Sequence, residues 1–167
     1  DAIKRLNDGS IDIVLTPLDI KERFNTMESI NIYPTANIFC TSLNDPLAQQ
    51  DSVTFLDIRQ RPIAVLNSKL PVDWPLQIRL CTNTSSLIRE AVSKGILCAL
   101  LPQDFVRDWD DVAVLPFNPP QNFAVKAVWN KNLPHSSALQ EFVDFLLEYF
   151  AAQGIVLPEE KIEDDEI

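Results

Sequence analysis

The 167-residue sequence has very little glycine. Its three glycines are Gly9, Gly95 and Gly154, against twelve prolines. A loop that cradles phosphate needs several glycines close together, because only glycine lets the backbone approach the phosphate so tightly. The wide spacing of the three glycines therefore excludes such a loop.

The sequence also has only one histidine, His135, which lies beside Pro134 and just ahead of a predicted helix. We expect it in an exposed turn, since no Ser-His-Asp or Cys-His arrangement is supported. Nothing points to the paired acids of glycoside hydrolysis either. We predict a protein that is not an enzyme, with no catalytic residues, no metal ligands and no cofactor.

Cysteine is scarce as well, and no CxxC spacing suggests a zinc site. Cys40, Cys81 and Cys98 are widely separated, and each has apolar neighbours. This pattern predicts three buried free thiols in a reducing compartment.

Long apolar runs and basic clusters are both missing. No run of 18 apolar residues occurs, and the first residues do not form a signal peptide, so we expect a soluble cytoplasmic protein without a membrane partner. The formal net charge of −10 argues against nucleic-acid binding by this chain alone. Half of that charge falls in residues 158–167, which we expect to be a solvated acidic tail.

The chain opens with a pattern typical of the end of a helix followed by a strand. Ile3 and Leu6 would share one helix face, and Gly9 would end the helix. The β-branched segment Ile11–Leu15 then predicts a strand. Such an opening, without a strand ahead of the helix, suggests an N-terminal truncation.

Two helices are clearly indicated. Thr84–Lys94 has cap-type residues at its start and Gly95 after its end. Ser137–Gln153 carries an apolar stripe at i, i+3 and i+4 spacing, a capping box formed by Ser137 with Gln140, and a glycine stop.

Short apolar segments before and between these helices predict strands, and their alternation with helices predicts an α/β fold. The predicted strands cover residues 30–34, 36–41, 63–66, 77–81, 96–101, 112–115 and 123–129. Residues 96–101 and 112–115 are almost continuously apolar, which is typical of strands covered on both faces.

Five segments in the same order resemble the C-terminal effector-binding domain of LysR-type transcriptional regulators. They are Leu6–Leu15, similar to "L-x-x-G-x-L-D"; Asn44–Ala48, similar to a His-Pro-Leu-Ala turn; Phe55–Ile63; Ile88–Pro102, similar to "V-x-x-G-x-G-I-x-x-L-P"; and Ala127–Lys131, similar to "W-x-K". Asp45 takes the place of the family's histidine, and Leu97 that of its second glycine. The resemblance covers about residues 1–153.

The resemblance implies a type-2 periplasmic-binding-protein-like fold, in which two α/β lobes are joined by two crossing strands. Lobe I would comprise residues 1–34 and 117–167 without its first strand, and lobe II residues 35–116. The crossings would fall near residues 33–36 and 116–122.

The implied function is effector sensing. A small molecule would bind between the lobes, and the domain would form a homo-oligomer, either a dimer or a tetramer. Promoter DNA would be bound only by a winged helix-turn-helix that this chain lacks. The alternatives that remain open are a stand-alone solute-binding protein of the same fold and an enzyme built on that fold.

The resemblance also suggests which residues would face the ligand. They are Thr16 and Pro17 after a lobe I strand, Leu66, Asn67 and Ser68 after a lobe II strand, and Asn83, Thr84 and Ser85 at a helix N-terminus. Free N–H groups at such a terminus can hold a carboxylate, although plain helix capping by Thr84 and Ser85 is an equally good interpretation. No lysine or arginine obviously lines this cleft.

One segment departs from the family pattern. Residues 67–75 read as a loop because Pro71 and Pro75 would break a helix, so the predicted lobe II is trimmed and its cleft shallower or open.

Overall fold

The computed structural model describes residues 2–17, 25–66, 74–134 and 137–154. It contains both helices and strands, which confirms the α/β prediction. Its elements in chain order are α1 (Ala2–Asn7), β1 (Val14–Thr16), β2 (Met27–Ser42), α2 (Phe55–Ile58), β3 (Pro62–Leu66), β4 (Gln77–Thr82), α3 (Ser85–Ser93), β5 (Cys98–Pro102), β6 (Val112–Asn130) and α4 (Ser137–Ala152). Short 3₁₀ helices lie at Pro46–Gln49 and Gln103–Phe105.

The chain divides into two compact units. Unit 1 comprises residues 1–34 and 124–167, and unit 2 comprises residues 35–123. Hydrogen bonding joins the strands in the order β1-β6-β2-β5-β3-β4. The sequence analysis assigns residues 1–34 and 117–167 to lobe I and residues 35–116 to lobe II. This division into lobes stays a prediction.

Two strands are longer than the sequence indicates. The sequence predicts two extended segments that meet at Pro34, whereas β2 runs unbroken from Met27 to Ser42. Likewise, the segments predicted at 112–115 and 123–129 belong to the single strand β6. Proline is compatible with extended backbone because its fixed φ lies within the β and polyproline region, so Pro34 does not end the strand.

Unit 1 is built around β1 and the parts of β2 and β6 that belong to it. β1 pairs antiparallel with β6, with Val14 opposite Val128. One face of these strands packs against α1 through Leu6, Met27 and Val128. The other face packs against α4 in a cluster whose buried members are Ile32, Ala127 and Leu146.

Unit 2 holds the mixed part of the sheet. β3 is parallel to both β4 and β5, and β5 is antiparallel to β2. One face carries a core with Phe39, Val65 and Leu100, and the other a core in which Ile88 and Val92 of α3 pack on the sheet. Within the apolar run 96–101, residues 98–101 are all buried, as predicted for a strand covered on both sides, but Ile96 lies exposed ahead of β5. In the second run, 112–115, Val112 and Leu115 are buried while Val114 is exposed, so the prediction of coverage on both faces is wrong there.

The helix boundaries agree with the glycine signals but not with the capping box. Gly9 and Gly95 have φ of +75° and +67°, the left-handed conformation predicted for the ends of α1 and α3. Ser137, however, is already the first residue of α4, and the Gln140 side chain donates to Asp144 Oδ1 at 2.9 Å. The predicted Ser137–Gln140 capping box is therefore wrong.

The prediction of three buried thiols is correct for Cys40 and Cys98 and wrong for Cys81, which is exposed. Cys81 lies on β4, and β4 is the edge strand of the sheet. Most of β4 is exposed, so apolar sequence neighbours do not bury its side chains.

Three sequence predictions lie outside the described residues: the His135 turn, the loop at residues 67–73 and the acidic tail at 158–167. In the part of the chain that the structure describes, no helix is long and apolar enough to cross a bilayer.

Candidate functional site

The parallel strands of unit 2 end at one edge of the sheet. In register, Leu66 of β3 lies opposite Thr82 of β4, and Val65 opposite Leu100 of β5, two residues before the end of that strand. Asn37 of the antiparallel β2 pairs with Pro102 at the same edge. We call this edge, where β3, β4 and β5 end, the carboxyl edge. Ligands of α/β proteins bind outside such edges, because the loops and helix N-termini that follow the strands converge there.

The structure brings four of the predicted site residues to the carboxyl edge. Leu66 ends β3, and Asn83, Thr84 and Ser85 connect the end of β4 to the start of α3. Asn67 and Ser68 lie outside the described residues.

The other two predicted residues, Thr16 and Pro17, belong to unit 1. Thr16 is the last residue of β1, where it pairs with Lys126 of β6. Its side chain is 8% exposed, while Pro17 is half-buried.

The start of α3 has the features of an anion-binding helix terminus. The Thr84 N–H donates to Thr82 Oγ1 at 3.1 Å, while the Thr84 side chain makes no capping hydrogen bond to the described first turn of α3. Helix N-termini carry a partial positive charge of roughly half a unit, from N–H groups with no partner within the helix. Side-chain capping by Thr84 therefore does not account for this terminus.

Thr35 and Asp104 add a polar contact to the carboxyl edge that the sequence analysis missed. Thr35 is 3% exposed, and its Oγ1 donates to Asp104 Oδ2 at 2.6 Å. Asp104 lies in the 3₁₀ helix that follows β5, and its other oxygen accepts a 2.8 Å hydrogen bond from Arg107.

Asn37 is the second residue that the sequence analysis missed. Its side chain is 2% exposed, and neither its amide nitrogen nor its amide oxygen has a hydrogen-bond partner among the described residues. A buried amide without partners is costly, so its presence at the edge where ligands bind is a signal of function. The available sequence signal is the alternation of Thr35 and Asn37 with apolar residues, which normally indicates a strand face in water.

A different polar cluster lies at the opposite edge of unit 2. Arg61, just before β3, forms an ion pair with Asp45 and also lies 3.9 Å from Cys98 Sγ. Burial raises the pKa of Asp45, but the Leu47 N–H, Arg61 and the Thr41 hydroxyl outweigh burial and hold this pKa below 3.8. These contacts stabilise the turn after β2.

The described residues contain no group of three or more His, Cys, Asp or Glu side chains that could hold a metal ion.

Comparison with known proteins identifies the family. The family model described as "LysR substrate binding domain" matches residues 1–151. No curated protein matches the chain.

Solved structures share the fold at low sequence identity. The effector-binding domain of QuiR, in complex with shikimate, superposes with a TM-score of 0.77 at 18% identity, covering 93% of this chain and 78% of QuiR's. The regulatory domain of MetR from N. meningitidis has a TM-score of 0.77 at 15% identity, covering 95% and 81%. A LysR-family regulator from Pseudomonas aeruginosa, the PA01 protein, has a TM-score of 0.66 at 18% identity and is covered over 57% of its length, against 89% of this chain.

The fold class predicted from the five sequence segments is thus confirmed by the family match and by these regulatory domains. The chain belongs to the LysR substrate-binding-domain family.

Proposed function

We propose that this chain is the effector-sensing domain of a LysR-type transcriptional regulator and that its effector binds at the carboxyl edge of unit 2. The family match over residues 1–151 supports the class of function. The effector-binding domain of QuiR, which shares the fold, binds shikimate, so a small polar molecule is a suitable ligand class.

The observation that carries the location of the site is the buried Asn37 amide. Its donor and its acceptor are both unused within the described residues, so a ligand that offers a hydroxyl or an amide to both atoms would satisfy them together. Relief of an unsatisfied buried group strengthens binding without creating new apolar contact.

The start of α3 supplies the second recognition element. The N–H groups of its first turn, with the hydroxyl of Ser85, suit a carboxylate. The favoured effector is therefore a small hydroxylated carboxylic acid. Thr16, Pro17, Asn67 and Ser68 stay predicted ligand-binding residues.

The rest of the regulator's action involves protein outside this chain, which spans 57% of the Pseudomonas aeruginosa relative. A winged helix-turn-helix elsewhere in the intact protein would bind promoter DNA, and the protein would act in the cytoplasm as a homo-oligomer rather than as an enzyme. Effector binding would shift the population between two arrangements of the oligomer that differ in promoter affinity.

Titration calorimetry of the 167-residue chain with shikimate and with other small hydroxylated carboxylates tests the site. The variant Asn37→Leu replaces the amide with an apolar group of the same branching, and Asn44→Leu is its matched control, because Asn44 is an exposed amide just past the opposite end of β2. We expect binding that Asn37→Leu weakens at least tenfold and that Asn44→Leu leaves unchanged. Equal binding by the two variants would contradict the location.

The intact mass of the protein from its native cell tests the regulator itself. An additional basic segment with a helix-turn-helix pattern supports the proposal. A mature native protein that starts at Asp1 would overturn it in favour of a stand-alone solute-binding protein.

A further inference from the structure

Unit 1 contains a cavity of about 330 Å³ that involves no residue of the carboxyl edge. It lies between α4 and the strands on which α4 packs. Its walls include Glu28 and Ile30 from β2, Trp129 from β6, and Val143, Asp144 and Leu147 from α4. Small-molecule sites in proteins begin at about this size, so the cavity can hold a compact organic molecule.

The strand and helix periods explain why these residues meet. Glu28 and Ile30 are two residues apart on β2 and therefore point to the same face of the strand, the face that packs on α4. Val143 and Leu147 are four residues apart on α4 and share one stripe of that helix. The cavity therefore has an apolar floor formed by Ile30, Val143 and Leu147.

The rim of the cavity is acidic. Glu28 Oε2 accepts a hydrogen bond from Trp129 Nε1 at 3.2 Å, and Asp144 Oδ1 accepts one from Gln140 Nε2 at 2.9 Å. These contacts orient both carboxylates and occupy one oxygen of each in the contacts described. None of the lining side chains that the structure describes is basic, so no cation among them offsets the two carboxylates.

An apolar floor, an indole and two carboxylates together suit one class of ligand. An ammonium group is attracted by carboxylates and by the face of an indole ring, while its hydrocarbon body can cover aliphatic side chains. A carboxylate ligand would instead meet two like charges at the rim. The site therefore differs in charge preference from the helix terminus at the carboxyl edge.

We propose that the cavity between α4 and strands β2 and β6 of unit 1 is a second small-molecule site, which binds a compact organic cation with a primary ammonium group. Glu28 and Asp144 bind the ammonium group, and Ile30, Val143, Leu147 and the Trp129 ring contact the hydrocarbon part. The inference uses no residue of unit 2, so its failure would leave the proposed function untouched.

Calorimetry of the 167-residue chain with phenethylamine tests the ligand class, with 2-phenylethanol and 3-phenylpropionate as neutral and anionic comparisons. A primary alkylamine is protonated at pH 7. We expect the amine to bind at least tenfold more tightly than either comparison compound. Binding of the alcohol or of the acid as tight as that of the amine would overturn the proposal, as would no amine binding at millimolar concentration.

Three substitutions test the location. Glu28→Gln and Asp144→Asn each remove one charge but keep an acceptor for the observed hydrogen bond, and we expect each to weaken amine binding about fivefold. Gln140→Trp places a large side chain at the exposed rim, and we expect it to abolish binding while the chain stays folded.

Because the chain has a net charge of −10, general attraction of cations needs its own control. Glu141→Gln removes an exposed acid from the same helix that does not line the cavity, and we expect it to change amine affinity less than twofold. A loss with Glu141→Gln equal to that with Asp144→Asn would show unspecific attraction and overturn the site.

Discussion

Replacement of Asn37 by leucine is expected to stabilise unit 2. The asparagine side chain is 2% exposed and has no hydrogen-bond partner among the described residues, on a strand face that also presents Phe39 to the core. An unsatisfied buried polar group costs about 1–3 kcal/mol, and leucine replaces the amide with an apolar group of the same branching. We therefore expect Asn37→Leu to raise the free energy of unfolding by about 2 kcal/mol.

Thr35→Val on the same strand should have the opposite sign. Thr35 lies two residues away on the same face and is buried to a similar degree, but its hydroxyl donates to Asp104 at 2.6 Å. Hydrogen bonds to charged groups contribute about 1.5–3 kcal/mol, and Asp104 keeps its contact with Arg107, so we expect a loss near the lower value, about 1.5 kcal/mol. Both substitutions remove polar atoms from neighbouring buried positions. Comparing them therefore distinguishes the loss of a hydrogen-bonded polar group from the loss of one without a partner.

Urea unfolding followed by tryptophan fluorescence measures both effects. A common Trp129→Phe background leaves Trp74 and Trp109, each of which packs on a core of unit 2. With a urea m-value of about 2 kcal/mol/M, Asn37→Leu should move the midpoint up by about 1 M. Destabilisation of 1 kcal/mol or more by Asn37→Leu would refute the reasoning, because the cost of the unpaired amide would then be smaller than the cost of fitting the larger leucine. A stabilising Asn37→Leu that also loses effector binding would be a trade of stability for function.

Three further predictions concern the ion pair, the thiols and a helix end. The contacts of Asp45 lower its folded-state pKa, so its contribution to stability is present above the usual pKa of 3.8 and is lost as the pH falls through the folded-state pKa. Asp45→Asn should therefore flatten the acid side of a plot of urea midpoint against pH. An unchanged acid side would contradict the role of Arg61. A thiol reagent at pH 8 should modify Cys81 rapidly in the native chain and spare Cys40. Burial and the neighbouring Cys98 raise the pKa of the Cys40 thiol to about 12. Peptide mapping measures the labelling of each cysteine, and equal labelling of the two would contradict the prediction. Gly95→Ala should lower the free energy of unfolding by about 1 kcal/mol, because the φ of +67° at this position is unfavourable for alanine. The methyl group itself has room, since the nearest atom, Ser42 Cβ, lies 3.8 Å away. An unchanged urea midpoint would contradict this prediction and would mean that the turn relaxes.

Sequence reasoning worked best where one short segment carries its own signal. The i, i+3 and i+4 stripe predicted α4, and the cap-type residues with Gly95 predicted α3. The apolar run at 96–101 predicted a strand covered on both faces, and residues 98–101 of it are buried. Five motifs in order indicated the family that the match over residues 1–151 shows. Each of these signals depends on local backbone geometry or on contiguous residues, so no knowledge of distant contacts is needed.

The candidate site was only partly accessible in this way. Leu66 and Asn83–Ser85 were chosen from the resemblance, and the parallel pairing of β3 with β4 brings them to one edge. Asn37 was missed because a polar residue alternating with apolar ones normally indicates a strand face in water, whereas β2 is covered there. The prediction of a Ser137–Gln140 capping box was wrong because the sequence motif does not specify at which residue α4 begins.

The sequence by itself therefore determined the α/β class, the principal helices and their glycine ends, the buried central strand and the family. Only the tertiary structure decided that β2 and β6 each run unbroken past their prolines, that Cys81 lies exposed on an edge strand, and that the Asn37 amide is buried without partners among the described residues. The physical reason is that periodicity tells which side chains share a face, but the coverage of that face depends on strand order and on elements distant in sequence.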